Sequence, residues 1–484
     1  MSNNNNSPND FPQSQTTSWG RDRLPHPEPA NSFSIWNILK KCFGRELYKI
    51  AMPVEFNEPL SFLQRLAEIF QYSELLDRGA TNEDPVKRMQ FVAAFAVAGW
   101  SSNLDRLKKP FNPLLAETYE LDRSHTPNGF RVICEQVSHH PPISAFYGES
   151  SCGRYVVEGC VHPKLKFWGR SVEIKPEGSI RVRFPERDNE EYVWSYVDCC
   201  VHNIILGSLY FEQYGDQVIT CNNTELQCRI NYKAANGPND IQLHSILGYI
   251  INKSGQKVSK ISGRWCQEVY AYSMAGEAGE PLWQAKPRPP HSAQFYNFTE
   301  MAMALNEFPP TNGHDPDHED HGRGNSHAED DDGGDNRGQS RTDHPQQPQT
   351  QQPQTQQPQQ QQQHRLHVAD CDVKNGGGGG RTSTNTPTAP NRGRRSNVKA
   401  KPARRLPPTD SRFRPDIRRL EEGDLDGAAA EKQRLEEKQR EARKRRGKSA
   451  EWKPLWFEKV TETHWRYLGG YWDRPANMRL PDIF

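Results

Sequence analysis

Residues 135–142 read EQVSHHPP, two histidines set directly against two prolines. Adjacent imidazoles could bind a metal, trade a proton, receive an anion, or simply fill a turn. Neighbouring residues on a strand point to opposite faces, and neither an HExxH helix nor a cysteine-rich partner stands near His139 and His140, so a shared metal is disfavoured. Ser138 is adjacent but has no GxSxG elbow or comparable frame, which argues against nucleophilic chemistry and against an enzyme. Pro141 forces His140 into extended geometry and the two prolines stiffen the backbone beyond it, which would hold both rings as donors toward an anion such as phosphate. A turn whose histidines are satisfied locally is the plain alternative.

Two further clusters carry cations. In LKKPFNPLLAETYE (107–120), Lys108 and Lys109 precede a Pro-Phe-Asn-Pro stretch in which no regular structure is expected, placing them on a loop between helix and sheet. In AAAEKQRLEEKQREARKRR (428–446), Lys432, Glu436 and Arg440 recur every four residues on one helix face, Glu436 preceding Arg440 in the favoured order. Read alone, the first is a pair of solvated lysines and the second a charged helix held by i,i+4 pairs. The whole chain has 62 basic and 61 acidic side chains and a net charge of +1, so there is no nucleic-acid signature. These cations matter only if the fold brings them together.

The elements that must position them can be read from period and punctuation. A chain of 484 residues suggests roughly two to four domains, but 34% hydrophobic residues and a mean hydropathy of −0.93 are low for a chain folded throughout. Residues 1–20 are polar, and 309–403 run from acidic HEDHGRGNSHAEDDDGGDN through polyglutamine and polyglycine to basic RGRRSNVKAKPARR; both are expected to be disordered, the second as an insertion. Ile35, Trp36 and Leu39 lie on the apolar side of a short amphipathic helix predicted over 33–43, behind the proline-rich arm RLPHPEP. Further helices are predicted to open at Asn57-Glu58-Pro59 and at Asp84-Pro85. Beyond residue 129 the period changes to two, as in SIRVRF and EYVWSYV, and many such runs at short spacing predict a long antiparallel meander forming a large sheet or barrel. Residues 427–446 read as a charged helix, and the tryptophan- and tyrosine-rich 450–472 should pack back on the core. No leader or membrane-spanning run is legible, and ten cysteines without a CxxC pair suggest reduced, buried thiols, so a soluble, intracellular protein is expected.

In order along the chain, KKPFNPLLAETYE, EQVSHHPP, HPKLKFWGR (162–170), CCVHNIILG (199–207), PPHSAQFYNFT (289–299), LPPTDSRFRPDIRRLEEGD (406–424) and EKQRLEEKQREARKRR (431–446) resemble the oxysterol-binding protein-related family. The resemblance covers about residues 20–308 and 404–484, and EQVSHHPP is its specific fingerprint. It implies an α+β fold: an incomplete antiparallel β-barrel around an apolar tunnel, with an N-terminal lid and flanking helices. Residues 21–308 would supply lid, helices and barrel, and 404–484 the C-terminal helical part of the same domain. With so short a stretch ahead of the lid, no pleckstrin-homology or ankyrin domain is expected in this sequence.

By motif matching, Lys109, His139 and His140, flanked by Lys108 and assisted by Arg440, would hold the phosphates of a phosphoinositide. Lys432 and Glu436 would contact its inositol or glycerol phosphate, while Asn112 and the lid near Leu24 close over it. Sterol would be the second ligand, exchanged with phosphoinositide between membranes; phosphatidylserine in place of the phosphoinositide stays open. A lipid-regulated sensor or scaffold at membrane contact sites, using 309–403 and the basic run 393–405, is the alternative. Neither metal nor cofactor is implied. The expected location is the cytosol and, peripherally, contact sites of endoplasmic reticulum, plasma membrane or endosome. No two-phenylalanine acidic tract for docking to VAP proteins is seen, which leaves that partner open.

Overall fold

In a computed structural model of the chain, the described residues are 18–29, 52–204, 207–276, 278–309, 405–447 and 452–484. The amphipathic helix expected at 33–43, with Ile35, Trp36 and Leu39, and the stretch 310–403 lie outside them.

Asp84 caps its helix as its sequence predicts: the carboxylate accepts from the Val86 amide, Pro85 takes the first turn, and the helix runs Pro85–Ala98. The segment opening at Asn57 behaves differently. Asn57–Ser61 forms strand β1, pairing in parallel with β2 (Lys109–Phe111), so the lysine-bearing segment is strand rather than irregular loop. The helix begins only at Phe62, where Ser61 and Gln64 form a reciprocal capping box, and α1 spans Phe62–Ala67. Pro59 misleads because it suits either a helix start or an edge strand. α2 covers Glu74–Ala80, and the Pro85–Ala98 helix is α3.

The meander is β3 (Thr118–Asp122), β4 (Phe130–His139), β5 (Pro142–Ser150), β6 (Val156–Phe167), β7 (Val172–Phe184), β8 (Glu190–Ser195), β9 (Asp198–His202), β10 (Tyr210–Cys221), β11 (Leu226–Tyr232), β12 (Ser245–Ile251), β13 (Lys257–Arg264), β14 (Glu268–Ser273) and β15 (Glu280–Gln284). Among the described residues these make one antiparallel sheet of thirteen strands whose edge strands, β3 and β15, do not pair with each other, so the barrel is incomplete. KFWGRSVEI is two strands rather than one run, because Gly169 at φ 85° turns the chain and Trp168 N donates to Ser171 O (2.9 Å). Every residue of α3 from Arg88 to Ala98 is buried, and the helix packs on β11, β12, β13 and β15, so it fills the barrel wall from inside. The eight cysteines of the described residues are free thiols, seven of them buried. Among the described residues no helix is long and apolar enough to cross a membrane.

After α4 (Glu300–Ala304), the chain resumes with α5 (Pro415–Glu421) and α6 (Leu425–Arg446). The C-terminal part is not wholly helical. β16 (Phe457–Thr461) and β17 (His464–Tyr467) form a hairpin whose Phe457 and Trp465, with Trp456 and Tyr471, bury Ile133, Val137 and Ala145. β4 is therefore covered on both faces: Val132 and Cys134 point to the main core, Ile133 and Val137 to this second one.

Glu135 shares that second face. Its buried carboxylate accepts from the amides of Leu455 and Trp456, each at 2.9 Å, and burial outweighs those bonds, pushing its pKa up to about 7. A carboxyl whose folded pKa exceeds its unfolded value gives stability that is full below about pH 4.5 and lost as pH rises to 7. Glu135→Gln turns a donor toward one of the two amides and should cost stability at pH 4.5, but it removes the pH-dependent loss, so the stability of the variant relative to wild type should improve by about 1–3 kcal/mol between pH 4.5 and pH 8. Urea melts at both pH values check this, and a difference between variant and wild type that is the same at pH 4.5 and pH 8 would refute it.

Candidate functional site

One cavity of about 1250 Å³ lies inside the barrel and opens beside α6. Its walls include Phe95, Val161, Ile174, Ile180 and Trp194, which alternate inward from β6, β7, β8 and α3. Lys108, Lys109, Asn112, His139, His140, Lys432, Glu436 and Arg440, eight residues from three distant segments, all line this same cavity. The three motifs converge as their resemblance implied.

His139 is the last residue of β4 and pairs with Pro142, leaving His140 and Pro141 as the hairpin turn. Since His140 lies in the turn, strand alternation does not separate the rings: they meet edge to face with centroids 4.7 Å apart, across a chain whose His140–Pro141 bond is cis. His139 Nδ1 lies 3.1 Å from Pro113 O and its Nε2 lies 2.7 Å from Gln439 Nε2. Burial, the neighbouring His140 and the cations Arg414 and Arg443 lower its pKa to about 4, against the pull of the Pro113 carbonyl. His140 is lowered by burial and by Arg443. Both shifts favour the neutral form, and the expectation that both stand ready as donors is corrected for His139, whose two nitrogens are already engaged. Among the described residues no group of three His, Cys, Asp or Glu is placed to hold a metal ion.

The cations differ in how they are held. Lys108 pairs with Glu28 at 3.4 Å and donates to the Glu55 carbonyl. Lys432 pairs with Glu436 at 2.5 Å, one helical turn on. Arg440 is exposed at the rim and pairs mainly with Glu437 at 2.6 Å, with Glu436 at 4.0 Å, so the single-face reading of that helix holds only loosely for it. Lys109 stands on β2 with no carboxylate within ion-pair distance among the described residues. Burial first and Lys432 second lower its pKa to about 8, with Glu436 opposing. Asn112 presents its carbonyl to Arg414 at 3.0 Å. Leu24 is buried in the main core, and it is Glu28 of that arm that reaches the cavity. Arg21 ties the arm down through Met303 O (2.6 Å) and Glu421.

Gln439 and Arg443 also line the mouth and were not singled out in the sequence. The helical period held the signal, since they lie seven residues beyond Lys432 and Glu436 and so share their face. Buried Arg414 gave none, because its partners Glu117 and Asn112 are some 300 residues away in sequence.

The family profile described as oxysterol-binding protein matches residues 34–320 and 388–476. The chain belongs to the oxysterol-binding protein family. It is 38% identical over 512 residues to human oxysterol-binding protein-related protein 1, covering 96% of this chain and 44% of that protein. Against mouse oxysterol-binding protein-related protein 2 it is 39% identical over 519 residues, covering 96% and 88%. The chain thus spans less than half the length of the protein 1 relatives. Among solved structures, the Osh1 ORD domain in complex with cholesterol superposes with a TM-score of 0.70 at 28% identity, covering 97% of this chain and 95% of that one. The Osh3 ORD in complex with PI(4)P from Saccharomyces cerevisiae gives 0.65 at 28% identity, covering 95% and 96%.

Proposed function

We propose that the chain is a non-enzymatic lipid carrier that takes a sterol or a phosphoinositide in one cavity and exchanges them between membranes in the cytosol. The observation that carries this reading is a single cavity with an apolar interior and a mouth lined by His139, His140, Lys109, Lys432 and Arg443. A buried acyl chain or sterol needs the interior: at about 0.8 kcal/mol per CH₂, a chain of roughly 16 carbons would cost on the order of 13 kcal/mol to expose. An anionic headgroup needs the mouth, because charge leaving water must meet charge-assisted donors. Solved relatives hold cholesterol, ergosterol and PI(4)P, so each half of the design has a precedent. Occupation of one cavity by either ligand makes binding mutually exclusive. Sterol carried from one membrane then leaves where phosphoinositide is abundant.

The test is sterol release to phosphoinositide-containing vesicles. His139→Ala/His140→Ala should weaken phosphoinositide binding about tenfold or more through lost charge-assisted contacts, and slow release accordingly. Unchanged exchange in that variant would remove the headgroup assignment.

A further inference from the structure

The ring orientations at the cavity mouth are fixed by a chain of hydrogen bonds. The Leu115 amide can only donate, so the Gln439 oxygen must face it, at 2.8 Å. The Gln439 NH₂ group then faces His139 Nε2 at 2.7 Å, and that nitrogen must offer a lone pair. The ring proton is left on Nδ1, where the Pro113 carbonyl accepts it at 3.1 Å. Both nitrogens of His139 are thus committed within the protein, and neither presents a proton to the cavity.

We propose that Gln439 acts as an internal competitor for His139, so that a phosphomonoester can bind this imidazole only by displacing the Gln439 amide while the ring takes up a proton. The inference rests on the headgroup reading above and adds a positioning residue and a proton linkage to it. Displacement alone does not suffice. The Pro113 carbonyl keeps Nδ1 protonated, so a donor at Nε2 means an imidazolium. The charged or titratable groups that face the ring are His140 on the same turn, Arg414 from the segment before α5, and Arg443 from α6. All three disfavour a second proton until an anion enters among them. A dianionic phosphate reverses that balance and draws the proton in. Affinity should therefore rise as pH falls, by up to about tenfold per pH unit where the bound ring is protonated and the free ring is not.

Calorimetry of the full chain at pH 7, in two buffers of different ionisation enthalpy, measures the protons taken up. Lys109 and the phosphate contribute little at this pH. The probes are soluble inositol 1,4-bisphosphate and phosphatidylcholine vesicles containing phosphatidylinositol 4-phosphate. Wild type should take up close to one proton per ligand more than His139→Ala, in which only His140 can respond. Uptake with vesicles alone would identify the lipid as the required source, and uptake with both would show that the phosphomonoester suffices; either supports exchange at His139. Gln439→Leu, which cannot compete, should bind about two- to tenfold tighter, the scale of one net hydrogen bond. Gln439→Glu keeps the acceptor for Leu115 and sets a carboxylate against Nε2, so it should bind weaker. No proton uptake by wild type, or weaker binding by the leucine variant, overturns the inference. If binding also survives His139→Ala/His140→Ala, the headgroup reading itself falls; if that variant loses binding while wild type takes up no proton, only the Gln439 linkage falls.

Discussion

Arg414→Ala is expected to destabilise the folded chain by about 3–5 kcal/mol, the range for a buried ion pair left without one partner. Its guanidinium is almost inaccessible and bridges two fully buried carboxylates: Nη1 to Glu117 at 2.8 Å and Nη2 to Asp416 at 2.7 Å, with a second bond from Nε to Asp416 at 3.0 Å. Nη1 also donates to the Asn112 carbonyl at 3.0 Å. Glu117 in turn accepts from the Leu114 amide (2.9 Å) and the Ser411 hydroxyl (2.7 Å), so one carboxylate organises the loop that carries the site. Removing Arg414 leaves both anions buried and frees that loop. Lysine should rescue poorly, because a point charge cannot make the bidentate contact with Asp416. Glu117→Gln, which keeps an acceptor and leaves Arg414 paired with Asp416, should be less severe. Urea denaturation of the three variants gives the ranking; a loss below about 1 kcal/mol for Arg414→Ala would mean that the site loop is held by packing instead.

The same residues show why the chain returns to the barrel after residue 404. Thr118 N donates to Thr409 O at 2.9 Å, Thr118 and Asp410 form a parallel bridge beside β3, and Arg412 reaches the Glu120 carbonyl. The open edge of the sheet is thereby given partners by sequence some 290 residues away. None of this pairing was legible in LPPTDSRFRPDIRRLEEGD, whose arginines and carboxylates read equally well as a solvated, charged surface. Local patterns were legible where local physics decides them. Alternation in SIRVRF and EYVWSYV gave strands β7 and β8, and Asp84-Pro85 gave the start of α3. Pro59 misled because β1 exists only through its partner Lys109–Phe111, about 50 residues on. The site was legible as three motifs, since each is contiguous, and its convergence came through resemblance. What the sequence hid is the state of the groups: the neutral, doubly engaged His139, and Lys109 with no carboxylate partner among the described residues, depend on burial and on residues from α6.

Lys109→Met should make the ligand-free protein more stable and abolish most phosphoinositide binding. Lys109 is partly buried on β2 at the cavity wall, where burial first and Lys432 second disfavour its charge and Glu436 favours it, and its pKa falls to about 8 from an ordinary 10.5. For a lysine with a depressed folded pKa, the destabilisation is full below about pH 8 and fades as pH rises to 10.5, where the unfolded chain also loses the proton. Methionine should therefore raise stability by about 1–3 kcal/mol at pH 7 and by almost nothing at pH 10.5. Affinity for phosphoinositide should drop about tenfold or more, the scale of one charge-assisted hydrogen bond in a partly dry site. Thermal melts across pH, paired with vesicle binding, separate the possible roles of this residue. A structural cation would show lower stability on replacement, and a solvated one would show no change in either measurement. Opposite changes, more stable and less able to bind, are the mark of a charge kept uncompensated in the free protein so that a ligand can compensate it.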